Sequence, residues 1–263
     1  MADGARDWQG GILSGGAEWW HQLLAATRFL TRLPLGRLSA ADTGLLARSM
    51  RAFPLVGIVV GLAGWAAFAL GAVLGLPPLA AAFLALGAGV LVTGGLHEDG
   101  LADTADGFGG GDTIARKLAI MRDGRSGAFG VLALLFSLGL RAAALATLAV
   151  PAAGWALVAA HAASRAVLPI FMRWLDPARP DGLGASAGQP DDAAVAWCAA
   201  LAILIVPLCL GPLRGIAALL AGAAALVALG LLARRQIGGY TGDVLGAAEQ
   251  VAEIVVLLAA AAA

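Results

Sequence analysis

The chain has 263 residues, of which 60% are hydrophobic and only 13% are charged. A soluble domain of this length would be close to half apolar and about a quarter charged, so the composition excludes an ordinary soluble protein and indicates a membrane protein. The formal net charge is zero, which argues against a nucleic-acid-binding surface. Cys198 and Cys209 lie in an apolar run without metal-ligand spacing and are interpreted as small hydrophobic residues.

The first 51 residues precede any apolar run and show neither the apolar core nor the cleavage site of a signal peptide. Residues 17–30 combine tryptophans and leucines with Glu18, His21 and Arg28. This pattern is typical of a helix that lies in the membrane interface. We therefore predict a cytoplasmic and interfacial N-terminal segment over residues 1–51.

Seven later stretches have the length and apolarity of a membrane span, which needs about 20 residues. They are residues 52–76, 78–96, 128–150, 152–172, 194–210, 213–232 and 244–263. Glycine–proline and proline–proline pairs separate several of them, and Pro207 interrupts the fifth. The predicted fold is all-α: a polytopic integral membrane helix bundle of about seven transmembrane helices plus an N-terminal interfacial helix. Without repeats or long linkers, residues 1–263 form one predicted domain.

Lysine and arginine are confined almost entirely to alternate loops. They occur in the N-terminal segment and in loops 97–127, 173–193 and 233–243, whereas the other loops carry only Arg214. The positive-inside rule places the richer loops in the cytoplasm. The N-terminus and all candidate site loops are therefore predicted to be cytoplasmic.

The segment Gly94–Gly111 reads GGLHEDGLADTADGFGGG and concentrates the acidic residues of an otherwise apolar chain. If it continues the second span as helix, Asp99, Asp103 and Asp106 lie at i, i+4 and i+7 and share one face. Such carboxylates repel each other unless a cation neutralises them, and Mg²⁺ takes oxygen ligands while keeping positions open for substrate phosphates. The alternative is a solvated acidic loop beside the membrane.

A basic cluster, which includes Lys117, Arg122 and Arg125, follows the acidic segment in the same predicted loop. Carboxylates that hold a metal and arginines that bind phosphoryl oxygens are the components of a metal–phosphate site. We therefore interpret residues 97–127 as a cytoplasmic catalytic loop. Asp243, just before the last span, either joins this site from another helix or only caps its own helix.

Ionisable residues also occur at membrane depth. Glu249 and Glu253 are one helical turn apart, and intramembrane acids are functional by default. The alternative is that they pair with Arg141 or Arg165. Arg165 itself either extends to lipid phosphates or reaches a bound anionic substrate, and His161, one turn away, is interpreted as an interior histidine.

Together these stretches resemble the membrane-bound cobalamin synthases, also called adenosylcobinamide-GDP ribazoletransferases. HEDGLADTADGF is the most specific stretch. The weaker matches, in family order, are Thr31–Pro34, Phe53–Gly57, Met121–Asp123, Gly127–Gly130, Ser164–Arg165, Gly182–Gly184 and Gly239–Gly246. The chain departs from the family pattern at Gly124, where members more often have a serine before the arginine.

The resemblance implies a transferase of the bacterial cytoplasmic (inner) membrane with Mg²⁺ as cofactor. Its implied substrates are adenosylcobinamide-GDP and α-ribazole or α-ribazole 5′-phosphate, and its implied products are GMP and adenosylcobalamin or its 5′-phosphate. The lipid bilayer is the other expected partner, nucleic acid is not expected, and a homo-oligomer or a complex with other cobamide-assembly enzymes stays open.

Joining the resemblance to the residue pattern gives three sets of candidate site residues. The candidate catalytic residues are His97, Glu98, Asp99, Asp103, Asp106 and Asp243. The candidate Mg²⁺ ligands are Glu98, Asp99, Asp103, Asp106 and Asp243. The candidate substrate-binding residues are Lys117, Arg122, Arg125 and Arg165. His97 or one of the carboxylates is the expected proton acceptor.

Two rival interpretations remain. A cation-coupled membrane transporter would use the ionisable residues within the spans as a relay, but the acids are densest at the membrane edge and no inverted repeat is visible. An intramembrane serine protease would use Ser126, in Gly124-Arg125-Ser126-Gly127, with His161. Ser126 lies among charges at the edge of a span, so we interpret that string as coincidence.

Overall fold

The computed structural model describes residues 18–35 and 43–262, and its regular elements are helices. Predictions for residues 1–17 and 36–42 lie outside the described residues. The helices are α1 (18–30), α2 (Thr43–Ser49), α3 (Phe53–Val73), α4 (Pro78–Thr93), α5 (Leu96–Gly110), α6 (Ile114–Ile120), α7 (Ala128–Ala146), α8 (Val150–Trp174), α9 (Leu183–Ser186), α10 (Asp192–Leu210), α11 (Pro212–Ile237) and α12 (Gly242–Ala261). A 3₁₀ turn, Met50–Ala52, joins α2 to α3.

Within the described ranges, six helical stretches are long and apolar enough to cross a bilayer. They are Gly44–Val73, which includes α3, and helices α7, α8, α10, α11 and α12. Helices α4 and α5 are long and apolar enough to cross a bilayer only when they are taken together, and the pair is bent by 93°. If this bent pair counts as one span, the bundle has up to seven spans. The prediction of an all-α polytopic bundle is therefore confirmed.

The bend between α4 and α5 overturns the expectation that the acidic segment continues the second span. Gly94 and Gly95 have φ angles of 72° and 71°, a left-handed conformation that ends a helix and that glycine adopts without steric cost. A Cβ on Gly94 would also lie 2.5 Å from Nε of Arg32. The acidic segment is a separate helix, α5, outside the six spanning stretches. Residues 97–127, which connect the second and third predicted spans, contain most of α5, the helix α6 and the short segments that follow each of them.

Helix α8 lies at the centre of the bundle, and 83% of its most apolar stretch of 18 residues is buried. It is contacted by α3, α10 and α12. The approach of α3 depends on small residues, since a Cβ on Gly57 would lie 2.1 Å from the carbonyl oxygen of His161. Small residues allow such backbone contact between membrane helices. This packing holds the polar residues of α8 and α12 inside the bundle.

Helix α1 packs one face on the bundle and exposes the other. Ala25, Ala26 and Leu30 are buried, whereas Trp20 is 59% exposed. Phe29 stacks on Phe53 of α3 with ring centroids 6.0 Å apart. The helical part of the interfacial prediction is therefore confirmed for residues 18–30.

Candidate active site

Two glycines bring the acidic helix α5 against the start of α12. A Cβ on Gly100 would lie 2.8 Å from the carbonyl oxygen of Asp243 and 3.1 Å from Cα of Gly246. Only residues without a side chain permit backbones this close. The crossing places Asp99 and Asp103 of α5 near Asp243 of α12, so carboxylates from two helices lie close together.

A cleft of about 220 Å³ opens at this crossing. Its polar side is formed by His97, Asp99, Arg179 and Asp243. Its apolar side is formed by residues of α1, α3, α8, α12 and the 3₁₀ turn before α3, among them Phe29, Met50, Phe53, Leu168, Met172 and Leu245. The cleft therefore offers both charged groups and an apolar wall to one ligand.

Asp243 does not cap its own helix, so that alternative is wrong. Thr241 is the N-cap of α12, and its hydroxyl accepts a hydrogen bond from the backbone N–H of Val244 at 3.3 Å. Asp243 Oδ2 accepts from the Thr241 hydroxyl at 3.1 Å and lies 3.5 Å from Nη2 of Arg179. The carboxylate is thus available to the cleft.

Arg179 was not singled out by the sequence, where it is one of two arginines in loop 173–193. The structure places Arg179 in the lining of the cleft, with Nη1 buried and without a hydrogen-bond partner in the part of the chain that the structure describes. Its loop is tied to the start of α12 by two backbone hydrogen bonds, from Ala178 N to Tyr240 O at 2.8 Å and from Tyr240 N to Asp176 O at 2.9 Å. No local motif predicts this contact between distant parts of the chain.

Asp103 shows the electrostatic cost of the acidic cluster. Burial, together with the negative charges of Asp99, Asp243 and Asp106, raises the pKa of Asp103 from 3.8 to about 7. Arg179 acts in the opposite direction without compensating. A bound cation would lower this cost, and the oxygen-only donor set suits a hard ion such as Mg²⁺.

The spacing of these carboxylates also bears on the kind of ion. Among the described residues, no three of them offer ligand atoms that all lie within 4.8 Å of one another. A tightly chelated ion would need that convergence, whereas Mg²⁺ usually binds one or two carboxylates and completes its shell with water and phosphate oxygens. The residues therefore fit Mg²⁺ held jointly with a phosphorylated substrate.

Asp106 lies about two turns beyond Asp99 on α5, next to α7, and is only 6% exposed. Its two carboxylate oxygens accept hydrogen bonds from the backbone N–H groups of Gly127 at 2.6 Å and Gly130 at 2.8 Å. These are the unpaired donors at the N-terminus of α7, where a negative charge is stabilising. The position of Asp106 gives it a structural contact that the sequence pattern did not predict.

Glu98 points into a buried polar network between α5, α7 and α12. Its Oε1 accepts from Gln250 Nε2 at 3.1 Å and lies 3.6 Å from Nη1 of Arg141. Arg141, 2% exposed, donates to Glu253 Oε1 at 2.8 Å. The structure thus brings Glu98 to the intramembrane charges rather than to the cleft carboxylates.

The second half of the network surrounds Arg165, which is 2% exposed. Its guanidinium pairs with Glu249 and lies 3.5 Å from Glu253 Oε2. His161, Glu249 and Glu253 offer ligand atoms close enough for a metal ion, but two arginines already neutralise the two carboxylates. The pairing of the intramembrane acids with Arg141 and Arg165 is therefore confirmed, and Arg165 does not extend to the membrane surface.

His97 links the network to the cleft. Its Nδ1 lies 3.5 Å from Arg165 Nη2 and 3.7 Å from Glu249 Oε2, while Nε2 is buried and has no hydrogen-bond partner within residues 18–35 and 43–262. Burial, followed by the charge of Arg165, lowers the pKa of His97 to about 3. The ring is therefore neutral, and His97 is one of the residues that line the cleft.

The predicted basic cluster does not line the cleft. Lys117 donates to Gln236 of α11, and Arg125 donates to Asp123. Arg122 donates to Asp181 at 2.6 Å, so it contacts the loop that carries Arg179. In this structure all three basic side chains are therefore paired with residues that lie outside the cleft lining.

Fold and cleft together define a polytopic helical membrane protein with a carboxylate-lined and arginine-lined cleft at one end of the bundle. Residues 22–261 match the family model described as cobalamin-5-phosphate synthase. The chain belongs to that family.

Several curated relatives carry the name adenosylcobinamide-GDP ribazoletransferase. The Bradyrhizobium diazoefficiens protein is 52% identical over 91% of this chain and 93% of its own length. The Mesorhizobium japonicum protein is 50% identical over 89% and 90%, and the Rhizobium johnstonii protein is 46% identical over 90% and 95%. No solved structure matches the chain.

Proposed function

We propose that this protein is a Mg²⁺-dependent phosphotransferase of cobalamin synthesis. It transfers adenosylcobinamide phosphate from adenosylcobinamide-GDP to α-ribazole or α-ribazole 5′-phosphate, releasing GMP. Family membership and the names of the relatives support the reaction. They do not favour a cation-coupled transporter, and the intramembrane charges such a relay would use are paired with each other.

The observation that carries the proposal is the meeting of Asp99, Asp103, Asp243 and Arg179 at the α5–α12 crossing. Phosphoryl transfer depends mainly on positioning and on neutralising the charge of the phosphate groups. Asp99, Asp103 and Asp243 are the residues that would hold the ion. Bound Mg²⁺ supplies charge neutralisation for the diphosphate and the departing GMP.

We assign the remaining steps, attack by the acceptor hydroxyl and removal of its proton, to residues of the cleft. The ribazole 3′-hydroxyl forms a new bond to the phosphorus next to cobinamide, and the bond from that phosphorus to the GMP oxygen breaks. Nε2 of the neutral His97, which has no hydrogen-bond partner among the described residues, would hydrogen-bond the attacking hydroxyl. Because its low pKa makes His97 a weak base, we assign the hydroxyl proton to a carboxylate of the cluster.

We also propose that this end of the bundle faces the cytoplasm of a bacterial cell. Lys117 of α6, Arg122 just after α6 and Arg173 in the last turn of α8 lie at the same end of the bundle as the cleft, as the positive-inside rule requires. A cytoplasmic opening would admit water-soluble substrates, whereas the apolar flanks of the bundle remain in lipid.

Purified protein in liposomes tests the reaction directly. It would receive adenosylcobinamide-GDP and either ribazole form, with Mg²⁺ or with EDTA, and products would be read by mass spectrometry. The proposal expects GMP and a cobalamin or cobalamin 5′-phosphate mass only with Mg²⁺. Absence of product from folded protein with both ribazole forms would contradict it.

A further inference from the structure

We propose that Arg179 is the residue that binds the diphosphate of the nucleotide-activated donor. This inference rests on the proposed function, since it names the part of the substrate that Arg179 contacts. It assigns the phosphate-binding role to an arginine outside the basic cluster Lys117, Arg122 and Arg125.

The first support is the state of the guanidinium. The Arg179 side chain is 14% exposed, yet among the described residues Nη1 has no hydrogen-bond partner, and Nη2 is 3.5 Å from a carboxylate oxygen, Asp243 Oδ2. Buried polar groups are normally hydrogen-bonded, and a charged donor left unpaired is costly. A ligand with acceptor oxygens would satisfy these donors.

The second support is a comparison with other arginines near this end of the bundle. The side chains of Arg122 and Arg125 are 53% and 86% exposed, and each contacts an aspartate at 2.6 Å. Arg179 is the sole Lys or Arg among the described residues that line the cleft. His97, 3% exposed and with Nε2 also unpartnered, lines the same cleft. Two residues that line this cleft thus each have a buried nitrogen without a hydrogen-bond partner among the described residues.

The third support is the rigid placement of the Arg179 loop. Two hydrogen bonds join residues 176–178 of this loop to Tyr240. The adjacent Gly239 also packs directly on the loop, since a Cβ at Gly239 would lie 2.1 Å from Asp176 O. Gly184 packs on the start of α12, since its Cβ would lie 2.9 Å from Gly242 N. Pre-organised donors bind anions without the entropic cost of ordering a loop.

The chemistry of the ligand follows from the neighbours. Because carboxylates surround Arg179, they would repel an anion that binds alone. An anion that binds together with a divalent cation would be attracted, since the carboxylates attract the cation and Arg179 attracts the anion. A planar guanidinium binds two oxygens of a phosphate group at once. A nucleoside diphosphate with Mg²⁺ has both features, and the apolar cleft wall is free for another part of the substrates.

The test uses detergent-purified full-length protein and GDP as the probe, with binding measured by isothermal titration calorimetry in Mg²⁺. We expect Arg179→Gln to weaken GDP binding by about tenfold to a hundredfold, the usual effect of losing charge-assisted hydrogen bonds. Arg179→Lys should recover part of the loss. Arg173→Gln is the matched control, because Arg173 is exposed and donates to Asp192 at 2.9 Å, and it should bind GDP like the wild type.

A second titration separates ligand binding from misfolding. Without GDP, Arg179→Gln should bind Mg²⁺ as tightly as the wild type or more tightly, because a positive charge leaves the carboxylate cluster. Loss of both ligands from a variant that elutes and melts like the wild type would overturn the proposal. So would unchanged GDP binding by Arg179→Gln, or absence of GDP binding by the wild type.

The transfer assay distinguishes this inference from the proposed function. If the wild type forms product and Arg179→Gln raises the KM for the donor but not for the ribazole, both stand. If the wild type forms product and both KM values of Arg179→Gln are unchanged, the assignment of Arg179 to the diphosphate is wrong, whereas the proposed function is supported. Arg179-dependent GDP binding by a protein that forms no product would leave the inference standing and contradict the proposed function.

Discussion

Gly100 and Gly246 form a reciprocal backbone contact: a Cβ built on either glycine would lie 3.1 Å from Cα of the other. This contact sets the distance between α5 and α12, and with it the distance between the carboxylates of Asp99 and Asp103 on one helix and Asp243 on the other. The geometry of the cleft therefore depends on two residues that have no functional groups.

Gly100→Ala is expected to reduce activity far more than stability. Its Cβ would lie 2.8 Å from the backbone oxygen of Asp243, so the helices must separate, although alanine favours the helix by about 1 kcal/mol. Transfer rate and Tm measured together would show this. Gly139→Ala, at a position with nothing within 4 Å, is the control and should keep both values. Full activity of Gly100→Ala would mean that the crossing does not set the site.

Asp106→Asn is expected to act on folding. The amide cannot accept both backbone N–H groups at the start of α7, and losing a hydrogen bond to a charged acceptor costs about 1.5–3 kcal/mol. Unfolding in detergent should show this loss, while Mg²⁺ affinity per folded molecule stays near that of the wild type. A lost Mg²⁺ affinity with normal stability would instead make Asp106 a metal ligand.

Glu253→Gln is expected to be strongly destabilising because it leaves Arg141 buried without its 2.8 Å partner. Removing one member of a buried ion pair costs about 3–5 kcal/mol, whereas replacing both with apolar residues is often neutral. The double variant Arg141→Met with Glu253→Leu should therefore be more stable than Glu253→Gln. Denaturation midpoints of the three proteins check this, and equal loss in both variants would show that the pair is not a structural unit.

Mg²⁺ affinity is expected to rise with pH through neutrality. Burial and neighbouring carboxylates raise the pKa of Asp103 to about 7, so below that pH a proton must leave before Asp103 binds the ion. Proton competition of this kind weakens binding by about tenfold per pH unit below the pKa and has no effect well above it. Calorimetric titrations between pH 5.5 and 8.5 test this, and Asp103→Asn should lose the dependence.

Metal-free stability should change in the opposite direction. The folded pKa of Asp103 is above the unfolded value of 3.8, so the unfolded state releases its proton first. The folded protein is therefore destabilised progressively as pH rises from about 4 to about 7 and no further above that. Melting curves in EDTA for wild type and Asp103→Asn would differ in this window, and identical pH profiles would contradict the shifted pKa.

The sequence predicted the membrane bundle because long apolar runs and glycine–proline breaks are local signals. The helical spacing of Asp99, Asp103 and Asp106 was also visible, as was the end of the bundle at which Asp243 lies. The bend at Gly94–Gly95 was not, since a glycine pair is compatible with either a continued or a broken helix. The sequence also left open whether Glu249 and Glu253 pair with arginines, which only packing decides.

Arg179 shows the limit of local patterns most clearly. It comes to the cleft because residues 176–178 pair with Tyr240, about 60 positions away along the chain, and no spacing rule relates the two. Lys117, Arg122 and Arg125 were chosen for their proximity in sequence to the acids. The structure pairs them with other partners, so proximity along the chain was a poor guide to proximity in space.

The most direct measurement compares the wild type, Asp103→Asn and Asp112→Asn in liposomes, with GMP release followed across Mg²⁺ concentrations. Asp112 is exposed beyond the end of α5 and is the matched control. The account predicts Mg²⁺-dependent release by the wild type and Asp112→Asn, and none by Asp103→Asn, which should still insert and fold. Release by Asp103→Asn at the wild-type rate in saturating Mg²⁺ would contradict a carboxylate-held metal site at the α5–α12 crossing.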